Sequence, residues 1–314
     1  MITETKTLYL YVETPLHAGV GSGLSSIDLP IQRERTTQYP MIQGSGIKGK
    51  LRSVAEDMVD RKVGTLTDEK VTIMFGPKTT GADHAGALIA GDARILLFPV
   101  RSLSGVFAYT TSYDVLGRFR RDRERSGNAL PWHVPAPVSS DASKPPVALV
   151  TSASQVSASG TIVLEEFSFQ AQPSKDADDI ADWIARNALP RTHDYWREKL
   201  RRSLVILPDN DFRDFALYAT EIITRVRIDR ATKTVAGGAL WTEEHLPTDS
   251  LLYVPMYATD SRKARDREKG EKAIPGAEIL RDAMSLENNQ GGYIQLGGDE
   301  TVGRGLVRLH WEGE

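Results

Sequence analysis

HAGVGSGLSSIDLPIQRERTTQYPMIQGSGIKGKLR, residues 17–52, is the stretch on which the fold turns. It opens in a loop, from Thr14 to about Gln38, that is long for a compact domain and rich in Gly and Ser, the composition of a shaped surface rather than a packed element. YPMIQGSG then reads as a short strand ending in a glycine turn. Beyond it Ile47, Leu51, Val54 and Met58 recur at helical spacing, so IKGKLRSVAEDMVDRK is an amphipathic helix with Lys48 and Arg52 on its other face.

Before this block, KTLYLYVE (6–13) has the β-formers of an opening strand. After it, GALIAGDARILLFPV (86–100) suggests a buried strand or hairpin, with the segment around Phe107 and Tyr109 pairing to it. TIVLEEFSFQA (161–171) reads as one strand. DADDIADWIARNA and HDYWREKLRRSL read as helices, the second with Tyr195 and Leu200 as core contacts. EIITRVRID and GGALWTEEHL flank RATKTVAG, the pattern of a protruding hairpin. SLLYVPMYA returns to a buried strand, PGAEILRDAMSLE is helical, and GGYIQLGG and GRGLVRLHW close the chain as strands. Two mixed-charge runs, residues 118–125 and 262–272, read as solvated surface, and the Pro- and Ser-rich 131–146 as a loop. The first and last thirds together fit an α+β, RNA-recognition-motif or ferredoxin-like βαββαβ core whose middle is expanded.

The 314 residues contain no cysteine, which removes disulfides, thiolate metal sites and cysteine nucleophiles. No apolar run approaches the roughly 18 residues of a membrane span, and MITETKTLYLYVE lacks the features of a signal peptide, so a cytoplasmic protein without a membrane partner is expected. The formal charge of −3 requires any nucleic-acid-binding cations to be concentrated on one surface.

Four places carry candidate chemistry. Gly44, Gly49 and Lys50 approach the phosphate-loop pattern, but Leu51 stands where a hydroxyl should hold magnesium, which argues against a nucleotidase. What survives is a glycine-rich helix start, Gly44, Ser45 and Gly46, whose backbone N–H groups suit phosphate oxygens, with Lys48, Lys50 and Arg52 adding charge; ordinary surface cations are the equal alternative. QLGGDETVGRG (295–305) has four glycines, Gly297, Gly298, Gly303 and Gly305, around Arg304, more than a simple turn requires. Beside the first glycine block it would form a groove for a phosphate backbone. Asp28 is a lone loop acid, yet cleavage of RNA by its own 2′-hydroxyl needs only one base or metal and in-line geometry, with His17 as a possible acid–base partner. Glu243, Glu244 and His245 could bind a metal or assist, although surface acids are common.

Taken together, HAGVGSG, SSIDLPIQRE, YPMIQGSGIKGKLR, ALWTEEHLP and QLGGDETVGRG resemble the repeated backbone subunit of the type III-B CRISPR effector, the Cmr complex, within the RAMP superfamily. The resemblance implies a palm from about 1–61 and 250–314, an inserted subdomain over about 62–215, and a thumb hairpin near 221–249. It implies copies stacked head to tail along a CRISPR RNA with other Cmr subunits. It also implies cutting of single-stranded target RNA at regular intervals in a metal-dependent reaction, the cofactor being Mg2+. Asp28 falls on the family's catalytic and metal-holding aspartate, His17 on the preceding histidine, and Glu243 and His245 in the segment of secondary active-site residues. A related possibility is a subunit that coats CRISPR RNA without cutting.

Overall fold

The computed structural model describes residues 1–21, 27–78, 84–138, 145–262 and 273–313. In chain order it forms β1 (Glu4–Val12), β2 (Met41–Ile42), α1 (Gly44–Asp60), α2 (Asp68–Phe75), β3 (Leu88–Ala90), β4 (Ala93–Arg101), β5 (Phe107–Ser112) and α3 (Tyr113–Arg125). The middle follows as β6 (Val147–Val150), β7 (Thr161–Leu164), β8 (Phe167–Pro173), α4 (Lys175–Asn187), α5 (Asp194–Ser203), β9 (Leu204–Leu207) and α6 (Asp209–Tyr218). The last third is β10 (Glu221–Ile228), β11 (Val235–His245), β12 (Leu251–Ala258), α7 (Gly276–Met284), β13 (Tyr293–Gln295) and β14 (Leu306–Trp311).

The core strands run β14–β1–β12–β4, every neighbouring pair antiparallel. Glu4 lies opposite Ala258 and Leu8 opposite Trp311, so β1 is hydrogen-bonded on both sides. With α1 between β1 and β4, and α7 between β12 and β14, this is the expected βαββαβ order. The sheet continues beyond β4 as β5–β9–β6–β8–β7, so the expanded middle grows from the palm's edge. Strands β10 and β11 form a separate two-stranded sheet.

Ile47, Leu51, Val54 and Met58 are buried as their spacing predicts. The helix nevertheless begins at Gly44, so GSG is its first turn rather than a preceding one. Close approach explains the glycine: a Cβ at Gly44 would sit 2.5 Å from the Ala90 carbonyl oxygen, and the Gly44 amide donates to Asp92 Oδ1 at 2.8 Å.

Three other expectations change. TIVLEEFSFQA is two strands, β7 and β8, reversing at Glu165 with φ +50°. Tyr195 is 73% exposed while Leu200 is buried, because α5 turns Trp196 rather than Tyr195 toward Phe107. The 118–125 run is not a solvated surface: Asp122 and Arg123 are buried on α3. Asp122 Oδ2 accepts from Arg94 at 2.6 Å and from the Tyr253 hydroxyl at 3.0 Å, and Arg123 pairs with Glu312. Of the other charged run only Arg262 lies among the described residues.

Candidate active site

The base of the β10–β11 hairpin organises the site. Along β11 side chains alternate, so Trp241, Glu243 and His245 share one face and Thr242 and Glu244 the other. Thr242 and Glu244 hold the loop that carries Asp28. Residues 28–31 lie alongside β11, with a parallel bridge from Leu29 to Glu243. Leu29 N–H donates to the Thr242 carbonyl, and Glu244 N–H donates to the Leu29 carbonyl, both at 3.0 Å. The Thr242 amide and hydroxyl donate to Asp28 Oδ2 at 2.7 and 2.9 Å. Those bonds favour the ionised carboxylate and hold the exposed Asp28 below its ordinary pKa.

Glu244 is buried and fully engaged. Its carboxylate accepts from Ile31 N–H at 3.0 Å and the Thr220 hydroxyl at 2.9 Å, and it pairs with Arg33. Its carbonyl oxygen receives His17 Nδ1 at 2.7 Å. A carbonyl can only accept, so Nδ1 carries the proton and Nε2 of the neutral ring is left to accept or exchange one. One residue thus fixes both the Asp28 loop and the His17 tautomer.

His17 also lines a cleft of about 540 Å³, together with Gln32, Gly46, Lys50, Gly297 and Gly298. The two glycine-rich blocks therefore meet. Gly297 has φ +73°, and a Cβ there would stand 2.2 Å from the His17 carbonyl oxygen, which accepts from Gly298 N–H at 3.0 Å. Not every expected cation faces the cleft. Lys50 does. Lys48 is half-buried, its pKa lowered by burial and then by Arg262 and Arg52, which places it in a separate cationic patch. Arg52 binds Glu56 at 2.8 Å. Ser45 is exposed at the helix start, where the Gly44 amide is already spent on Asp92 and the Gly46 amide on the Gln43 carbonyl. Gly303 has φ +77°, and Arg304 lies beside His245 and Glu221.

The other face of β11 forms a second cluster. Glu243 and His245 are buried, which sets aside the alternative of ordinary surface groups. His245 Nε2 is 3.5 Å from Asp299 Oδ2 and 3.9 Å from Glu243 Oε2. Burial, then the neighbouring His17, lowers the His245 pKa in spite of Asp299, so its ring is neutral at pH 7. Trp241 Nε1 donates to Glu243 Oε1 at 2.6 Å, and Arg225 reaches Asp299 Oδ1 at 2.9 Å. Sequence reasoning singled out QLGGDETVGRG for its glycines and passed over Asp299, whose signal was an acid set between glycine pairs. Thr242, Arg225 and Arg33 carry no local signal, since each acts through partners far away in the chain.

A second cavity, about 610 Å³ beside β8 and α6, has Glu165, Glu166, Asp211 and Asp214 in its wall and, among the described residues there, no Lys or Arg. Among the described residues no helix is long and apolar enough to cross a membrane.

The ferredoxin-like palm, the glycine-walled cleft and the hairpin-held acid define the class: this chain belongs to the RAMP superfamily, whose profile matches residues 9–308. It is 36% identical over 301 residues, 96% of this chain and 93% of the relative, to the CRISPR system Cmr endoribonuclease Cmr4 of Pyrococcus furiosus. It is 24% identical over 326 residues, 98% of this chain and 97% of the relative, to the Cmr subunit Cmr4 of Saccharolobus solfataricus. The crystal structure of oligomeric Cmr4 from Pyrococcus furiosus superposes with a TM-score of 0.70 at 31% identity, covering 99% of this chain and 98% of that one. A cryo-EM structure of the type III-B Cmr-β complex bound to cognate target RNA contains a chain of the same fold, with a TM-score of 0.70 at 21% identity over 99% of this chain and 98% of that one.

Proposed function

We propose that this chain is the repeated backbone subunit of a type III-B CRISPR effector and that it cuts target RNA within the assembled complex. Its partners on this reading are a CRISPR RNA, a single-stranded target RNA, other Cmr subunits and copies of itself stacked head to tail. The observation that carries the catalytic part is the clamping of Asp28 by Thr242 at the base of the hairpin, with His17 fixed by the next residue of the same strand.

The cleft of Gly46, Lys50, Gly297 and Gly298 suits a sugar–phosphate backbone, and guide pairing rather than base-edge contacts selects the sequence. Exposed apolar side chains on the hairpin, Ile222, Val226, Ile228 and Leu240, supply a wedge that splays a target nucleotide. The 2′-oxygen then forms a bond to the adjacent phosphorus as the P–O5′ bond breaks. The 2′-hydroxyl gives up its proton and the 5′-oxygen gains one. His17 Nε2 exchanges a proton with these oxygens, and the Glu244 carbonyl keeps it in the useful tautomer. Asp28, with its lowered pKa, is a weak base, better suited to orienting the 2′-hydroxyl or holding a hydrated cation against the phosphate. A lone carboxylate fits Mg2+, which keeps most of its waters and shares substrate phosphate oxygens; bound there it would neutralise charge on the reacting phosphate.

Asp28→Asn in the reconstituted complex is expected to lower cleavage by at least about a hundredfold with target binding unchanged. Cutting of matched RNA at the usual spacing by that variant would overturn the assignment.

A further inference from the structure

On the face of β11 turned away from Asp28's loop, three side chains from two distant segments converge without finishing their hydrogen bonds. Glu243 Oε2, Asp299 Oδ2 and both ring nitrogens of His245 are buried and make no hydrogen bond of ordinary geometry, although Asp299 lies close enough to Glu243 and His245 to interact with both. The His245 side chain is 0% exposed, and its Nε2 points at both carboxylate oxygens. Buried polar atoms left unpaired cost free energy, about 1–3 kcal/mol each, and call for an explanation. One ligand atom from each of the three residues lies within 4.8 Å of the other two.

The spacing has chemical meaning. Ligands about 2.1 Å from a tetrahedral metal stand about 3.4 Å apart. The measured separations of 3.5 and 3.9 Å from His245 Nε2 are close to that value and longer than a hydrogen bond. The remaining atoms of the group are held from outside. Trp241 Nε1 donates to Glu243 Oε1, and Arg225 bonds Asp299 Oδ1, so each carboxylate has one oxygen tied back and one turned inward. That is how outer partners orient metal ligands. Arg225 Nε also stands 3.4 Å from Glu243 Oε2, so the guanidinium offsets part of the acidic charge without closing the gap to His245.

We propose that Glu243, His245 and Asp299 bind one divalent transition-metal cation, which ties the base of the β10–β11 hairpin to the 297–305 loop. One imidazole with two carboxylates suits Mn2+ or Zn2+ better than Mg2+, which prefers oxygen ligands throughout. The site is separate from the Asp28 carboxylate and does not depend on the cleavage reading. Its consequence for that reading is positional: the cation fixes the loop whose Gly297 and Gly298 wall the cleft beside His17.

The test uses the full-length chain, stripped with chelator and titrated with Mn2+ by calorimetry and electron paramagnetic resonance. One saturable site per chain is expected, with electron spin-echo modulation from an imidazole nitrogen that changes on 15N-histidine labelling. His245→Gln should abolish the nitrogen signal, and both it and Asp299→Asn should weaken binding by at least about tenfold. Asp28→Asn should leave the affinity and the signal as they are. If His245→Gln does not fold, the wild-type nitrogen signal and Asp299→Asn carry the test. No saturable binding, or a site without imidazole coupling, would mean that Arg225 alone balances the cluster and the proposal is wrong. Binding lost in Asp28→Asn but kept in Asp299→Asn would move the ion to Asp28, sinking this site while leaving the cleavage reading intact.

Discussion

Five consecutive residues of β1, Leu8 to Val12, are 1% exposed or less, and three consecutive residues of β11, Glu243 to His245, are 5% or less. Both stretches are sealed, but they seal different chemistry. Strand β1 lies between β14 and β12, and the side chains of Leu8–Val12 are aliphatic or aromatic, so each contributes about 1.5–3 kcal/mol of transfer free energy and requires few polar partners. The base of β11 buries two carboxylates and an imidazole, groups that cost stability unless each is matched. Equal burial therefore covers apolar packing in one strand and positioned polar groups in the other.

The largest expected effect tests the claim that β11's charges are structurally matched. Glu244→Ala removes the acceptor for Ile31 N–H, Thr220 and Arg33 together, leaving a guanidinium only 11% exposed without its carboxylate. A loss of about 3–5 kcal/mol in urea denaturation is expected, with cleavage falling as well because the Asp28 loop loses its side-chain anchor at Ile31, while the Glu244 carbonyl still holds His17. A loss under about 1 kcal/mol would show that the loop is held mainly by its backbone bonds to β11. Leu10→Ala in β1 should cost somewhat less, about 3 kcal/mol, because it leaves a cavity in the fully buried sheet. Complexes of that variant that remain folded should cut at the normal rate. A specific loss of cutting at unchanged stability would erase the distinction between the two strands.

The elements that could be read from the chain are those whose partner is carried in their own pattern. The α1 stripe, the β-rich β1 and β12, and the hairpin with its polar tip are all local signals, and the palm order followed from them. Burial of charge was not legible. Asp122 and Arg123 sit in a run of six cations and acids that looks solvated, yet they are matched by Arg94, Tyr253 and Glu312, residues far away in sequence. Glu165 and Glu166 make a reversal without Gly, Asn or Pro, so β7 and β8 read as one strand. At the candidate site, Asp28, His17, Glu243 and His245 were visible as chemistry-bearing residue types in unusual loops or strand ends. Asp299 and Thr242 were not, since their significance arises only where the hairpin base meets the 28–31 and 297–305 loops.

The smallest effect concerns an acid that bonds a β1 side chain. Asp249, just after the hairpin, has φ +70° and accepts the Tyr11 hydroxyl at 2.5 Å, and Tyr11 in turn meets the Tyr109 hydroxyl at 3.0 Å. Burial raises the Asp249 pKa, more than the Tyr11 bond and the nearby Lys199 and His193 lower it. The folded chain therefore holds this proton more tightly than the unfolded chain, and stability falls as pH rises from about 4 through the folded pKa. Asp249→Asn keeps an acceptor for Tyr11 and tolerates the left-handed backbone, but has no charge to bury. It is expected to be more stable than wild type by about 1 kcal/mol or less in urea at pH 7, with the difference vanishing near pH 4. A variant less stable at pH 7 would mean that attraction to Lys199 and His193 outweighs desolvation, so that the β1 neighbourhood, like β11, depends on a matched charge.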